Sequence, residues 1–123
     1  MFIYVSGPYS PKGATSSEDA ASQIAANIDR ANKIGIALAE MGHAPFTPHM
    51  NCQGWEDLHG VSREVTMKVC GEWIARCDAL FFIAPSTGAN WERGIAEQLG
   101  RPVYESLDQV PKPNVGEWQQ AEV

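Results

Sequence analysis

The sequence predicts one small α/β domain built on a parallel sheet with helices on both faces. Short β-rich runs alternate with helical patterns along the chain, an order typical of parallel strands joined by right-handed crossovers. Residues 79–84 are apolar without interruption, as expected for a strand that is covered on both faces. A chain of 123 residues with 44% hydrophobic residues is long enough to form one such core.

The first strand and the first helix have clear boundary residues. Residues 2–6 form a β-rich run that ends at the turn Gly7-Pro8. Ser16 resembles a helix N-cap, and Gly42 is expected to stop the helix. The apolar face of this helix is predicted from residues that recur every three or four positions: Ile24, Ile28, Ala31, Gly35 and Leu38.

The second strand and the second helix are less sharply bounded. Residues 44–48 are typical of a short strand marked by prolines, and a polar loop is predicted at 50–60. Ser62 is expected to cap the second helix. The buried face of that helix is predicted from apolar residues four positions apart: Val65, Val69 and Trp73.

The last two elements follow the apolar strand. A helix is predicted over 90–99 with Gly100 at its C′ position, and a final short strand at 102–104. Beyond that strand, proline, glycine, asparagine and glutamine dominate the sequence. We therefore divide the chain into a domain at residues 1–107 and an irregular tail at residues 108–123.

Charge and composition exclude several classes of partner. A net charge of −6 and a pI near 4.9 argue against a nucleic-acid polymer, whose phosphate backbone requires a basic surface. A single small nucleotide needs only a few N–H groups and stays possible. No apolar run approaches the ~18–20 residues of a membrane span, and the first residues lack the pattern of a signal peptide. We therefore expect no membrane contact and a cytoplasmic location.

The cysteines and histidines do not form a metal-binding pattern. The number of cysteines is odd and no CxxC motif occurs, which favours free thiols in a reducing compartment. His43, His49 and His59 lack the spacing of metal ligands. We therefore expect neither a metal nor a cofactor. The three cysteines are Cys52, Cys70 and Cys77.

The segment 86–92 carries the strongest functional signal. It follows the apolar strand, is rich in small residues and opens a helical pattern, so Glu92 is predicted in the first helical turn. A helix N-terminus binds anions and favours an ionised carboxylate. In parallel α/β sheets, ligands bind beyond the carboxyl ends of the strands. The loops after Ser6, Thr47 and Ala84 are therefore expected to meet in one crevice that suits an anionic or sugar ligand.

Four motifs together resemble the nucleoside 2-deoxyribosyltransferase superfamily over residues 2–104. They are I-Y-x-x-G-P at 3–8, P-H at 48–49, C-D-A at 77–79 and S-x-G-x-x-x-E-x-G-x-A at 86–96. The chain is most similar to short phage and bacterial members and to the 2′-deoxynucleoside 5′-phosphate N-hydrolases. The resemblance implies a flavodoxin-like fold, a homodimer or larger oligomer, and chemistry on a small nucleotide.

The resemblance also implies a catalytic pair. Glu92 stands where the superfamily carries its nucleophilic glutamate, and Tyr4 stands where a tyrosine hydrogen-bonds that glutamate. The implied reaction is attack of the carboxylate on the anomeric carbon, followed by transfer of the sugar to water or to a second base. A carboxylate beside that carbon stabilises an oxocarbenium-like transition state. The alternatives are a surface glutamate at a helix start and a tyrosine that only packs in the core.

The remaining candidates bind substrate. Ser86 and Gly88 match positions that hold the 5′ end of the sugar, and the serine resembles the monophosphate hydrolases, so a 5′-monophosphate is expected rather than a nucleoside. His49 matches a histidine of those hydrolases that would touch the phosphate or move a proton, and a loop histidine without such a role is the alternative. Trp55 and Trp91 are candidates for stacking on the base, and packing in the core is the alternative. The other expected substrate-binding residues are Ser6, Gly7, Tyr9 and Asn90, for which turn formation or packing is the alternative.

One position departs from the resemblance. Many members carry an aspartate eight residues before the Asp78 position, where it helps to protonate the leaving base, and this chain has Cys70 there. A neutral thiol is a poor substitute for a carboxyl group in that task. Another group would then protonate the base, the leaving group would need little help, or the protein would bind without turnover.

Three functions therefore stay open at this point. The motif set favours an enzyme, either an N-glycosidase or a deoxyribosyltransferase that acts on a nucleotide. A non-catalytic binder of a nucleotide or an ADP-ribose-like molecule is the second, because fold does not fix function. An interaction module is the third. A homo-oligomer is expected, because the loop at 50–60 carries Trp55, which one small subunit would not cover.

Overall fold

Four parallel strands form one sheet in the order β2-β1-β3-β4. The computed structural model describes residues 1–112 of the chain. The strands are β1 (Phe2–Ser6), β2 (Ala44–Phe46), β3 (Ala79–Phe82) and β4 (Val103–Tyr104). This order and the parallel pairing confirm the predicted α/β class and the flavodoxin-like fold.

Four helices and one 3₁₀ turn connect and cover the strands. They are α1 (Ser17–Glu40), α2 (Pro48–Asn51), α3 (Arg63–Arg76) and α4 (Thr87–Gln98), with the 3₁₀ turn at Leu107–Gln109. Ser16 and Ser62 cap α1 and α3 as predicted, since each side-chain oxygen accepts a backbone N–H bond in the first turn. Within residues 1–112, no helix combines the length and the apolar character needed to cross a bilayer.

Neighbouring residues of β1 belong to two different cores. Ile3 and Val5 pack with Leu38 of α1 on one face of the sheet. Tyr4 packs with Ile74 of α3 and with α4 residues on the other face. This alternation is the ordinary consequence of a pleated strand, whose successive side chains point to opposite faces. It directs the Tyr4 side chain to the α3–α4 layer.

The buried face of α3 differs from the prediction. Val65 and Trp73 are 51% and 41% exposed, whereas Cys70 and Ile74 are buried. The helix packs against α4 and β1 through the adjacent stripe of residues, which the sequence pattern alone does not distinguish. Trp73 covers the ring of Phe46 instead, with the ring centroids 4.4 Å apart.

The start of α4 also differs from the prediction. The helix begins at Thr87, because the Ser86 side chain accepts the Ala89 N–H at 3.0 Å and acts as the N-cap. The sequence pattern predicts this helix only from Asn90. Glu92 therefore lies in the second turn of α4, not in the first.

The chain after β4 returns to the body of the domain. Val110 is buried in the core on the α1 face, and the His43 ring bonds the Pro111 carbonyl oxygen through Nε2 at 2.7 Å. The start of the predicted tail thus packs on the domain. The rest of that tail, residues 113–123, lies outside the described residues.

The buried face of α3 can be tested by stability measurements. Replacing Ile74 with Ala removes a fully buried side chain and should lower the free energy of unfolding by about 2–5 kcal/mol. The control Val65→Ala removes a half-exposed side chain from the same helix and should cost less than about 1 kcal/mol. Urea unfolding measures both. Equal losses, or a larger loss for Val65→Ala, would contradict this assignment of the buried face.

Candidate active site

Three side chains meet at the carboxyl end of β1. Tyr4 and Ser6 are two residues apart on one face of the strand, and Glu92 reaches them from α4. The Tyr4 hydroxyl donates a hydrogen bond to Glu92 Oε2, and Ser6 Oγ donates to Glu92 Oε1 at 2.7 Å. Each carboxyl oxygen therefore has its own hydroxyl donor, which fixes the orientation of the group.

Burial determines the electrostatics of Glu92. The residue is 9% exposed, and the loss of water raises the pKa of its carboxyl group above the ordinary value. The hydroxyls of Tyr4 and Ser6, the Cys70 thiol and the charge of Arg63 act in the opposite direction. The expectation that a helix N-terminus holds this carboxylate ionised is wrong, because the residue lies beyond the first turn. Hydrogen bonds and Arg63 favour the ionised form instead.

The other ionisable groups beside Glu92 are weak acids. Burial raises the pKa of the Cys70 thiol to about 12. Burial, and then the nearby charge of Glu92, raise the pKa of Tyr4 well above its usual value. Cys70 packs with Tyr4 in the α3–α4 core and also lines the cavity described next. It is thus a packing residue and a neighbour of the carboxyl group at once.

A cavity of about 610 Å³ opens beside Glu92. The loop after β1, α2, the first half of α3 and the start of α4 form its walls, so it lies at the predicted edge of the sheet. Its volume is within the range of small-molecule sites. The predicted site residues that line it are Gly7, Tyr9, His49, Ser86, Gly88 and Glu92. Tyr4 and Ser6 are fully buried behind Glu92 and contact its carboxyl group.

The start of α4 forms the polar end of the cavity. The first N–H groups of a helix have no intrahelical acceptor. Ser86 takes that of Ala89, and Thr87 and Gly88, whose N–H groups lack a helical acceptor, line the cavity. The Arg63 guanidinium lies close by, since Nη2 is 3.4 Å from the position that a Cβ on Gly88 would take. Arg63 and Glu56 approach each other at 3.8 Å, a loose pair between partly exposed side chains.

Tyr9 and His49 shape the opposite wall. The Tyr9 hydroxyl accepts the Gly54 N–H at 3.1 Å. His49 is buried, and its Nε2–H donates to the Pro8 carbonyl oxygen at 2.9 Å. Burial lowers the pKa of the imidazole, so the ring is neutral near pH 7, and Nδ1 has no partner among the protein atoms of residues 1–112. The single N–H of the ring is thus used to hold the loop after β1, which does not favour contact with a phosphate.

Sequence reasoning and structure differ at several cavity positions. Asn90 is exposed on α4 and does not line the cavity, and neither does Trp55. Trp91 does line it. Arg63 and Lys12 line the cavity and were missed. Neither residue belongs to a sequence motif. The packing of α3 against α4 brings Arg63 to the cavity, and the path of the loop after β1 brings Lys12 to it.

The fold is that of a nucleoside deoxyribosyltransferase-like α/β protein. The chain belongs to the family described as "Domain of unknown function (DUF7768)", which matches residues 1–106. A solved 2-deoxyribosyltransferase from the psychrotolerant bacterium Bacillus psychrosaccharolyticus is similar, with a TM-score of 0.57 and 25% sequence identity. The similarity covers 84% of this chain and 69% of that chain. No curated protein matches the sequence.

The burial of Glu92 predicts a pH-dependent effect of Glu92→Gln on stability. The pKa of Glu92 is higher in the folded protein than its ordinary value of 4.5, which it has in the unfolded chain. The stability that this group contributes is therefore fully present below pH 4.5 and is lost as the pH rises through the folded-state pKa. Glutamine does not titrate in this range. The free energy of unfolding of the parent protein should therefore fall relative to that of the variant as the pH rises from about 4 to about 8. Urea unfolding at a series of pH values measures this.

The matched control is Glu40→Gln, which changes an exposed glutamate at the end of α1. Its effect should stay within about 0.5 kcal/mol at pH 7. If the free energy of unfolding of the parent rises relative to that of Glu92→Gln as the pH increases, the burial argument is contradicted.

Proposed function

We propose that the protein cleaves or transfers at the N-glycosidic bond of a (deoxy)nucleoside 5′-monophosphate through a glycosyl ester on Glu92. The observation that carries this proposal is the Glu92 carboxyl group, which two hydroxyls orient at the wall of a nucleotide-sized cavity. The similar 2-deoxyribosyltransferase supports glycosyl transfer as the class of chemistry.

The proposed reaction has two displacement steps. A carboxylate oxygen of Glu92 attacks C1′ while the bond from C1′ to the base nitrogen breaks, and the bonding electron pair leaves with the base. Water, or a second base, then attacks C1′ of the ester and releases the carboxylate. Tyr4 and Ser6 donate to the carboxylate oxygens, which stabilises the anion that departs in the second step.

The polar end of the cavity supports a phosphate as the 5′ group. The backbone N–H groups of Thr87 and Gly88 and the Arg63 guanidinium surround one region of the cavity, and no carboxylate belongs to the α4 start itself. Backbone donors at a helix start and an arginine suit a dianion. Glu56 pairs loosely with Arg63, and an incoming phosphate would replace it.

The second candidate is a non-catalytic binder of a nucleotide or an ADP-ribose-like molecule. Cys70 favours it, because a thiol with a pKa of about 12 stands beside the nucleophile where an acid would protonate a departing base. A homo-oligomer and a cytoplasmic location also stay predictions. The exposed apolar side chains of Val65 and Trp73 on α3 support an interface between subunits.

Replacing Glu92 with Gln should abolish base release. The amide cannot form the ester, so turnover of nucleoside monophosphates should fall by at least about 10³-fold, whereas the fold is retained. The control Glu97→Gln changes an exposed glutamate on the same helix and should keep parental turnover. Chromatography of the released base measures both variants.

A trapped intermediate identifies the same residue independently. A 2-fluoro substrate analogue should leave a sugar adduct on Glu92 that peptide mass spectrometry locates. Turnover of Glu92→Gln at the parental rate, or an adduct on another residue, would contradict the proposed mechanism.

The parent protein should prefer 5′-monophosphates to the matching nucleosides. Ser86→Asp places a negative charge at the α4 cap and should raise KM for the monophosphate by at least about tenfold, with a smaller effect on the nucleoside. The control Ser86→Asn has nearly the same shape, keeps a good N-cap and adds no charge. Steady-state kinetics on both substrates measure the effect. Equal kcat/KM values of the parent for nucleoside and nucleotide would refute the phosphate assignment.

A further inference from the structure

The groups in contact with Glu92 are poor proton donors for a leaving base. Tyr4 and Ser6 already donate their hydroxyl hydrogens to the two carboxyl oxygens. Cys70 is the third neighbour, and it is a buried thiol packed against Tyr4 and Ile74. General acid catalysis requires a group that gives up its proton near the working pH.

Two more distant polar groups of the cavity, His49 and Glu56, have partners of their own. The one N–H of neutral His49 bonds the Pro8 carbonyl oxygen. Glu56 approaches Arg63 at 3.8 Å. Within residues 1–112, the groups in contact with Glu92 are therefore two hydroxyls and a thiol, and none of them is a carboxyl group or an imidazole.

This arrangement distinguishes between two classes of leaving group. A neutral base such as adenine departs with an extra electron pair and is a poor leaving group unless a proton arrives as the bond breaks. A base that is a cation in the substrate departs as a neutral molecule when it takes the same electron pair. The second class therefore depends least on an acid in the site.

The electrostatics of the nucleophile favour the same class. Glu92 is buried, and Arg63 is the cation that favours its ionised form. A phosphate bound at Arg63 would cancel much of that charge. A positively charged ring beside Glu92 would supply the positive charge that the phosphate cancels. Tyr9 and Trp91 line the cavity, and aromatic rings attract cations to their faces.

We propose that the substrate is a nucleotide whose base is a cationic ring, joined to the sugar through a ring nitrogen. This proposal rests on the proposed function and narrows its substrate class. In the first step the C1′–N bond breaks, its electron pair neutralises the ring nitrogen, and an oxygen of Glu92 bonds to C1′. Water then adds to C1′, its proton passes to solvent, and the carboxylate is regenerated.

The experiment compares nucleotides that differ only in the charge of the base. The first pair is nicotinamide mononucleotide and its reduced, neutral-ring form. The second pair is 7-methyl-2′-deoxyguanosine monophosphate and 2′-deoxyguanosine monophosphate, which covers the deoxy sugar. NAD⁺ is added to distinguish a dinucleotide from a mononucleotide source of the same ring. Base release is measured for the parent protein and for Glu92→Gln, whose rate is subtracted because cationic nucleotides also decay without enzyme.

We expect Glu92-dependent release from the cationic member of at least one pair, at least about 100-fold faster than from its neutral partner, as a missing general acid implies. Release from neutral-base nucleotides within tenfold of the cationic ones would overturn this inference and leave the proposed function intact. No Glu92-dependent release from any nucleotide would overturn both.

Two variants of Cys70 distinguish between two explanations for a preference for cationic bases. Either the site lacks a general acid, or the pocket simply binds cationic bases better. Cys70→Asp supplies a carboxyl group beside the nucleophile, and Cys70→Asn supplies the same shape without an acidic proton. The ratio of cationic to neutral turnover should fall at least about tenfold in Cys70→Asp relative to Cys70→Asn, with a new acid-dependent limb in the pH profile. Melting temperatures establish that both variants fold. An unchanged ratio in a folded Cys70→Asp would contradict the inference.

Discussion

The hydrogen bonds from Tyr4 and Ser6 to Glu92 are the constraint on which the rest of the site depends. A carboxyl group that is 9% exposed is costly to ionise unless donors compensate for the lost water. Both donors come from alternate positions of one strand, so the pairing of β1 with β3 fixes their spacing. Glu92 reaches them only because α4 starts early enough to place this residue in its second turn. Strand register and helix start together determine whether the Glu92 carboxyl group has its two donors.

The class of fold was predictable because it depends on patterns that are local in sequence. The apolar run at 79–84, the periodic face of α1 and the serine caps each report a backbone preference of a few residues. The predicted helix start and the predicted helix face are wrong where two elements compete for the same residues. Ser86 caps α4, although the small residues after it look like a loop, and the buried stripe of α3 is chosen by the surfaces of α4 and β1. The buried stripe of α3 leaves no signal in its own segment, whereas the Ser86 cap is a local signal that the small residues after it obscure.

The candidate site was predictable in part for the same reason. Strand-end loops of a parallel sheet converge, so the positions of Gly7, His49 and Gly88 near one cavity follow from topology. The state of the side chains does not follow. The neutrality of His49 depends on burial and on the Pro8 carbonyl group, and the place of Arg63 beside Gly88 depends on helix packing. These contacts join residues that are far apart in the chain, and a single sequence contains no record of them.

Cys70 links the packing of the core to the chemistry of the site. A second carboxyl group at this position would share the buried region with Glu92, and two such groups raise one another's pKa because both cannot ionise at once. The thiol avoids that competition and fills the core beside Tyr4. It leaves Glu92 as the one carboxyl group among the contacts that residues 1–112 make at this point, so the carboxylate is easier to form, but in the proposed reaction no carboxylic acid beside it protonates the leaving base. Under the proposed mechanism such a site obtains its leaving-group activation from the substrate, and a positive charge on the base would supply both that activation and the counter-charge for Glu92.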